Sequence, residues 1–326
     1  TKFERYQRDS FWAGCGLYEY VQVFVISNGT NTKYYSNTTR NAHIKEQNGK
    51  RSKGKKTSNS FEFTSFWADG NNRVIADLVD FTKTFFAKHT ILNILTKYCI
   101  FTSEQLLLVM RPYQIVATEK ILNRIEVSTN YKQTGTIKAG GYIWHTTGSG
   151  KTLTSFKTAL LASKLPYIDK VLFVVDRKDL DYQTIKEYDR FEKGAANSNK
   201  NTAILQKQLE DDTSSIIVTT IQKLDSVYSK ETRATKIMTS ILCLSLMNAT
   251  DHSSAICTQR IVKYFKNYHI FGFTGTPILH LMQAQAHTLI CVLPSRLLVI
   301  SCTHILLLTL SMTAMFCRLE LIYQHR

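Results

Sequence analysis

The run Trp144-His145-Thr146-Thr147-Gly148-Ser149-Gly150-Lys151-Thr152 carries the residue types that hold a polyphosphate. Gly148 and Gly150 let backbone N–H groups turn towards an anion, with Thr147 and Ser149 completing the loop. Lys151 brings a positive charge to the outer phosphates, and Thr152 offers a hydroxyl to Mg²⁺. The full phosphate-loop signature has Gly five residues before the last Gly of the loop. His145 stands there, so the match is to the TGSGKT core. The implied chemistry is that of a nucleotide site.

Such a loop needs a strand before it and a helix after it. The apolar run Gly141 to Trp144 supplies the strand, and Lys151 to Lys164, ending before Pro166, supplies the helix. Downstream, Lys170 to Val175 (KVLFVV) is a continuous apolar run of the kind buried in a parallel sheet, with Asp176 to Gln183 at its carboxyl end. Ser215 to Val218 repeats the pattern before Thr219 to Leu224, and Ile270 to Phe273 is a last strand before the turn Thr274-Gly275-Thr276-Pro277. Alternating strands and helices predict an α/β fold with a doubly wound parallel sheet. Its ligands gather at the carboxyl ends, where 145–152, 176–183 and 219–224 all fall.

Upstream, the proline in Arg111-Pro112-Tyr113-Gln114 marks a boundary, followed by an amphipathic helix from Gln114 to Ile125. Residues 1–110 read as a separate, smaller α/β module. Val21 to Ile26 and Lys33 to Tyr35 predict a hairpin about Ser27-Asn28-Gly29-Thr30, and Lys45 to Lys56 reads as a basic exposed loop. The apolar residues from Phe81 to Met110 predict helices joined by a turn near Phe101-Thr102-Ser103.

Composition sets broader bounds. The chain has 326 residues, of which 44% are hydrophobic, enough for about two cores, and its net charge of +16 points to a polyanionic partner such as nucleic acid. A lysine-rich surface is the plainer reading of the same charge. The seven cysteines form no CxxC pair and no metal-like spacing, which argues against a zinc site or a disulfide framework and for a reducing, cytoplasmic compartment. The amino terminus, TKFERYQRDS, has no signal-peptide core, and opening on Thr1 suggests a start within something longer.

Taken in order, RPYQ at 111–114, WHTTGSGKT at 144–152, VVDRKDLDYQT at 174–184, IIVTTIQKL at 216–224 and FGFTGTP at 271–277 resemble the motor region of superfamily 2 helicases. With residues 11–38, they resemble in particular the restriction (R) subunit of type I restriction-modification enzymes. The resemblance implies a RecA-like first motor domain over 111–280, preceded by the C-terminal part of a nuclease-type module and a helical connector over 1–110. It implies ATP and Mg as ligands, double-stranded DNA as substrate, and methylation and specificity subunits as partners. By the same resemblance Tyr113 and Gln114 would read adenine, and Thr147 to Thr152 would hold phosphate and Mg²⁺. Arg177 and Thr220 would lie near the DNA track, and Thr274, Gly275 and Thr276 would couple hydrolysis to movement. Each has a plainer alternative: Tyr113 packing on its helix, Arg177 as a surface charge, 275–277 as an ordinary turn.

One family motif is missing. Such motors carry an Asp-Glu pair at a strand end, in a pattern like Phe-Asp-Glu-Cys-His-Arg, to hold Mg²⁺ and orient the attacking water. The corresponding stretch 241–258, ILCLSLMNATDHSSAICT, offers only Asp251-His252. Codons compatible with 241–258, read in the neighbouring frame, spell the family pattern, and 291–321 in the same offset spells family-like sequence. The expectation is therefore that 241–258 and roughly 281–326 are frameshifted text, that no well-packed central strand forms at 241–258, and that the chain as written binds ATP weakly at best and does not hydrolyse it at a rate stimulated by DNA. The nuclease carboxylates and the second motor domain would lie outside the chain. Two other readings remain: another superfamily 2 DNA motor, or a basic membrane-anchored non-enzyme, because Leu297 to Cys317 contains no Asp, Glu, Lys or Arg.

Overall fold

The computed structural model describes residues 21–36, 64–103, 107–146, 148–175, 178–191, 197–198, 201–211, 215–230, 241–247, 265–274, 288–292 and 297–301. The chain divides into two compact units, one of residues 1–116 with 185–196, the other of 117–184 with 197–326.

In the first unit, β1 (Val23–Ser27) and β2 (Thr32–Ser36) form the expected hairpin, extended by β3 (Ser65–Ala68) and β4 (Val74–Ile75) into a four-stranded antiparallel sheet. The turn closes because Asn28 Oδ1 accepts from the Asn31 N–H at 2.8 Å while Gly29 takes φ 96°, a left-handed conformation that glycine adopts without steric cost. Two helices follow, α1 (Leu78–Phe85) and α2 (Lys88–Thr96). Asp77 caps α1, accepting from the N–H groups of Val79 and Asp80 at 2.8 and 3.2 Å. Phe81 and Phe85, one turn apart, share a face and enter a core with Tyr34 and Ile94, their rings 4.7 Å apart. Each buried Phe contributes about 1.5–3 kcal/mol.

The predicted helical character stops at α2. Instead β5 (Cys99–Phe101) and β6 (Leu107–Val109) pair antiparallel, and the Met110 N–H donates to the Tyr98 carbonyl at 3.0 Å beside them. Short apolar runs fit either period. Here Ile, Phe and Val favour the pleated surface, and the Lys97 and Tyr98 N–H groups, both satisfied by the Asn93 carbonyl, end the helix.

The second unit holds an eight-stranded sheet. The chain enters it through α3 (Pro112–Asn130) and a single 3₁₀ turn (Ile137–Ala139). It continues through β7 (Gly141–Trp144), α4 (Lys151–Ala162), β8 (Lys170–Val175), α5 (Lys178–Phe191, of which the part from Ile185 on belongs to the first unit), β9 (Asn197–Ser198) and α6 (Thr202–Glu210). Next come β10 (Ile216–Thr220), α7 (Ile221–Lys230), β11 (Ile241–Met247), β12 (Tyr268–Thr274), β13 (Thr288–Val292) and β14 (Leu297–Ser301). The order across the sheet is β14-β13-β7-β12-β11-β8-β10-β9, parallel throughout except for β14. This is the expected parallel α/β architecture, with β7 and β8 bounded as the sequence predicts. Leu172 and Val174 of β8 pack with Leu205, Leu209, Leu224 and Val227 of α6 and α7. Val171 and Phe173 point the other way and are equally buried, so both faces are covered.

One expectation fails. A central strand does form at 241–247, paired to β8 on one side and β12 on the other. A slot between parallel strands asks only for apolar side chains and a ladder-competent backbone, which ILCLSLM supplies. Leu297 to Ser301, the start of the stretch that carried the alternative membrane reading, forms the antiparallel strand β14. Among the described residues no helix is long and apolar enough to cross a membrane.

Gly140, just before β7, lies against β12. A Cβ there would run into the Ile270 carbonyl, while one at Gly70 would meet nothing within 4 Å. Gly140→Ala is therefore expected to lower stability by about 1–3 kcal/mol. Gly70→Ala should change it by less than about 0.5 kcal/mol. Urea unfolding of the two variants side by side checks this.

Candidate nucleotide site

Strand register brings the carboxyl ends of the sheet into line. Trp144 pairs with Thr274 and Thr274 with Met247, while Leu246 and Thr220 both pair with Val175. The phosphate loop leaves β7 at one point on this row. β11, which ends at Met247, lies two strands away from β7 in the sheet.

The loop is held by its own backbone. Ser149 donates to the Thr146 carbonyl through both its hydroxyl, at 2.6 Å, and its N–H, at 3.2 Å. Gly148 and Gly150 both take φ 80°, and Gly150 is the left-handed N-cap of α4. A side chain at either position would strain the turn that leaves the first N–H groups of α4 facing outward. Lys151 reaches back over the loop, its ammonium donating to the carbonyls of His145 and Thr146 at 3.2 and 3.4 Å. Partial burial pushes its pKa down. Thr152 lies in the first turn of α4, its carbonyl accepting from the Ser155 hydroxyl at 3.0 Å. Thr147 lies outside the described residues.

His145 fills the place of the missing glycine. Its ring is fully buried, edge-on to Phe273 of β12 at 6.3 Å. Burial, and then the Lys151 charge, push its pKa down from 6.5 to about 4. It remains neutral at pH 7.

Deeper along α4 lies a chain of hydroxyls that the sequence did not single out. The Thr154 N–H and hydroxyl both donate to the Gly150 carbonyl at 3.0 Å. The Thr158 hydroxyl donates to the Thr154 carbonyl at 2.7 Å and lies 3.1 Å from that of Thr118 on α3. Thr118, Thr154 and Thr158 are all fully buried. Their sequence signal is slight: two threonines four residues apart on the helix after the loop.

Of the other residues picked from sequence, Tyr113 and Gln114 begin α3 and belong to the first unit. Gln114 is buried, and its Oε1 accepts from the Arg111 N–H at 2.8 Å. Burial raises the Tyr113 pKa, with the nearby Arg111 charge opposing. Thr220 is fully buried at the end of β10, where its hydroxyl accepts from the Lys223 N–H at 3.4 Å as a helix cap. Thr274 is the last residue of β12, and Arg177, Gly275 and Thr276 fall outside the described residues.

The SWI2/SNF2 ATPase family model matches residues 113–290. The chain is 38% identical over 283 residues to the type I restriction enzyme SsaAORF53P endonuclease subunit of Staphylococcus saprophyticus, covering 86% of this chain and 27% of that subunit. It is 48% identical over 170 residues to the C-terminal part of the putative type I restriction enzyme MpnIIP endonuclease subunit of Mycoplasma pneumoniae, a match that takes in 51% of this chain and 82% of that protein. Among solved structures, the Sulfolobus solfataricus SWI2/SNF2 ATPase core in complex with dsDNA overlays 57% of this chain and 34% of its own length at 19% identity, with a TM-score of 0.39. The chain thus spans about a quarter of the length of the longer curated relatives, 27% for the staphylococcal subunits.

Proposed function

The chain belongs to the SWI2/SNF2 ATPase family and, within it, to the endonuclease subunits of type I restriction enzymes, and from that premise we propose that it is the nucleotide-binding segment of an ATP-dependent DNA-translocating subunit. The observation that carries the proposal is the loop at the end of β7: two left-handed glycines, the open amino end of α4, and the Lys151 ammonium folded over the carbonyls of His145 and Thr146. Thr147, Gly148, Ser149, Gly150 and Lys151 hold the phosphates. Thr152 offers its hydroxyl to the Mg²⁺ carried by ATP, while Tyr113 and Gln114 serve the adenine. Arg177 and Thr220 belong to the DNA track, and Thr274, Gly275 and Thr276 to the coupling of hydrolysis with movement. Duplex DNA, drawn by the net charge of +16, and the methylation and specificity subunits are the partners. The domain limits proposed are 1–110, 111–280 and 281–326.

The donor set suits a triphosphate better than it suits hydrolysis. Mg²⁺ bound with ATP would neutralise phosphate charge. The stretch 241–258, in which the strand ends at Met247, offers no carboxylate pair to anchor that ion and orient water. We therefore place this chain among nucleotide binders without turnover, its acidic motif lost to a shift of reading frame at 241–258. The expected result is saturable binding of a fluorescent ATP analogue together with phosphate release that duplex DNA does not raise. DNA-stimulated release would overturn the account of the missing motif, and absence of any saturable binding would overturn the proposal itself.

A further inference from the structure

We infer that Thr118 is a positioning residue for the phosphate loop, acting through a directed relay of buried hydroxyls that ends on the Gly150 peptide. The inference rests on the nucleotide-binding reading above. A threonine hydroxyl has one proton. Thr158 gives its proton to the Thr154 carbonyl at 2.7 Å, so across the 3.1 Å contact Thr118 is the donor and Thr158 the acceptor. Thr154 gives its own proton to the Gly150 carbonyl, which also takes the Thr154 N–H, both at 3.0 Å. The order is fixed along its whole length: Thr118 to Thr158, Thr158 to the Thr154 backbone, Thr154 to Gly150.

The far end of the relay matters for an anion. Gly150 C=O and Lys151 N–H belong to one planar peptide, and no described peptide bond is cis. Two donors hold that carbonyl pointing down α4, so the Lys151 N–H on the other side of the same plane points out of the helix end. That is the direction from which a phosphate oxygen would approach. Gly150, at φ 80°, has a wide choice of backbone conformations and cannot fix this plane by itself. Thr118 contributes by locking α4 against α3, whose inner face at Ala117, Ile121 and Ile125 is fully buried. A slide or rotation of α4 on α3 would leave a buried hydroxyl without its partner, a costly state in an apolar setting.

Thr118→Val keeps the shape and deletes the donor, whereas Thr118→Ser keeps the donor and deletes a methyl group. With the full chain and a fluorescent ATP analogue as probe, Thr118→Val is expected to bind about fivefold more weakly, the effect of one buried hydrogen bond. Hydrogen exchange at the Thr154 amide, the donor to Gly150, should quicken in parallel. Thr118→Ser should restore both. Equal weakening in the Val and Ser variants would overturn the inference, because methyl packing would then be the cause, and so would affinities within twofold of the unsubstituted chain. If Thr118→Val does not fold, Thr158→Val, which breaks the relay from the other helix, is read in the same assays with the same expectations. Failure of the unsubstituted chain to bind the analogue any better than Lys151→Ala would overturn the nucleotide reading, and this inference with it. Normal binding left unmoved by the variants overturns the inference alone.

Discussion

Replacing Lys151 with alanine is expected to weaken ATP binding by roughly 10- to 100-fold while leaving the fold in place. The ammonium is poised over the loop on two carbonyl oxygens, those of His145 and Thr146 at 3.2 and 3.4 Å, which a triphosphate oxygen can outcompete because it carries charge. A hydrogen bond to a charged group contributes about 1.5–3 kcal/mol, which sets the range. Alanine is an excellent helix former and Gly150 remains as N-cap, so α4 should start where it does now. Equilibrium titration with a fluorescent analogue, alongside far-ultraviolet circular dichroism, separates lost charge from lost structure. Unchanged affinity would remove Lys151 from the site.

Acid should unfold the second unit early. His145 is buried as the neutral ring, with a folded pKa near 4 against 6.5 when exposed. Below 6.5 the unfolded chain takes up a proton that the folded chain refuses. The stabilisation is therefore complete above 6.5 and is lost as pH falls from there through about 4. At roughly 1.4 kcal/mol per pH unit this comes to about 3 kcal/mol, of which about 2 kcal/mol goes between about pH 7 and pH 5. His269 acts in the same direction. Burial lowers its pKa, although the Ala139 carbonyl at 3.1 Å from Nδ1 works against the shift. Urea unfolding at several pH values should show this loss, and His145→Gln should flatten most of the slope. An equally steep slope in the variant would assign the acid sensitivity to other groups.

How far the sequence revealed the fold depended on the length of each apolar run. KVLFVV at 170–175 and GYIW at 141–144 are bounded by polar or flexible residues and have one sensible conformation in a parallel sheet, so strand and boundaries were legible. The three-residue strands at 99–101 and 107–109 sit in an apolar stretch too short for its period to be read, and the local hairpin pairing decided them. At 241–247 the missing acidic pair suggested a missing strand. The two are separable, because the ladder bonds engage the backbone and the acidic pair would add only side chains at the strand's end. Lys151 stood out by its spacing from two glycines. Thr118 did not, since its partner Thr158 is 40 residues away and nothing local links them.

If 241–258 is frameshifted, the strand at 241–247 bears on how a gene wears out. Thymine-rich codons specify Phe, Leu, Ile, Val, Ser and Cys whichever base begins the triplet, so a stretch encoding a buried strand stays apolar when translation slips by one base. A carboxylate pair has no such tolerance, because Asp and Glu need one particular triplet grammar. Between β8 and β12 the chain keeps a ladder of paired backbone with Leu, Cys and Ser in its sequence, and the stretch 241–258 offers no Asp-Glu pair. Were 241–258 the product of a slipped frame, architecture would outlive chemistry in this sheet: the reaction would be the first casualty, and the scaffold would remain.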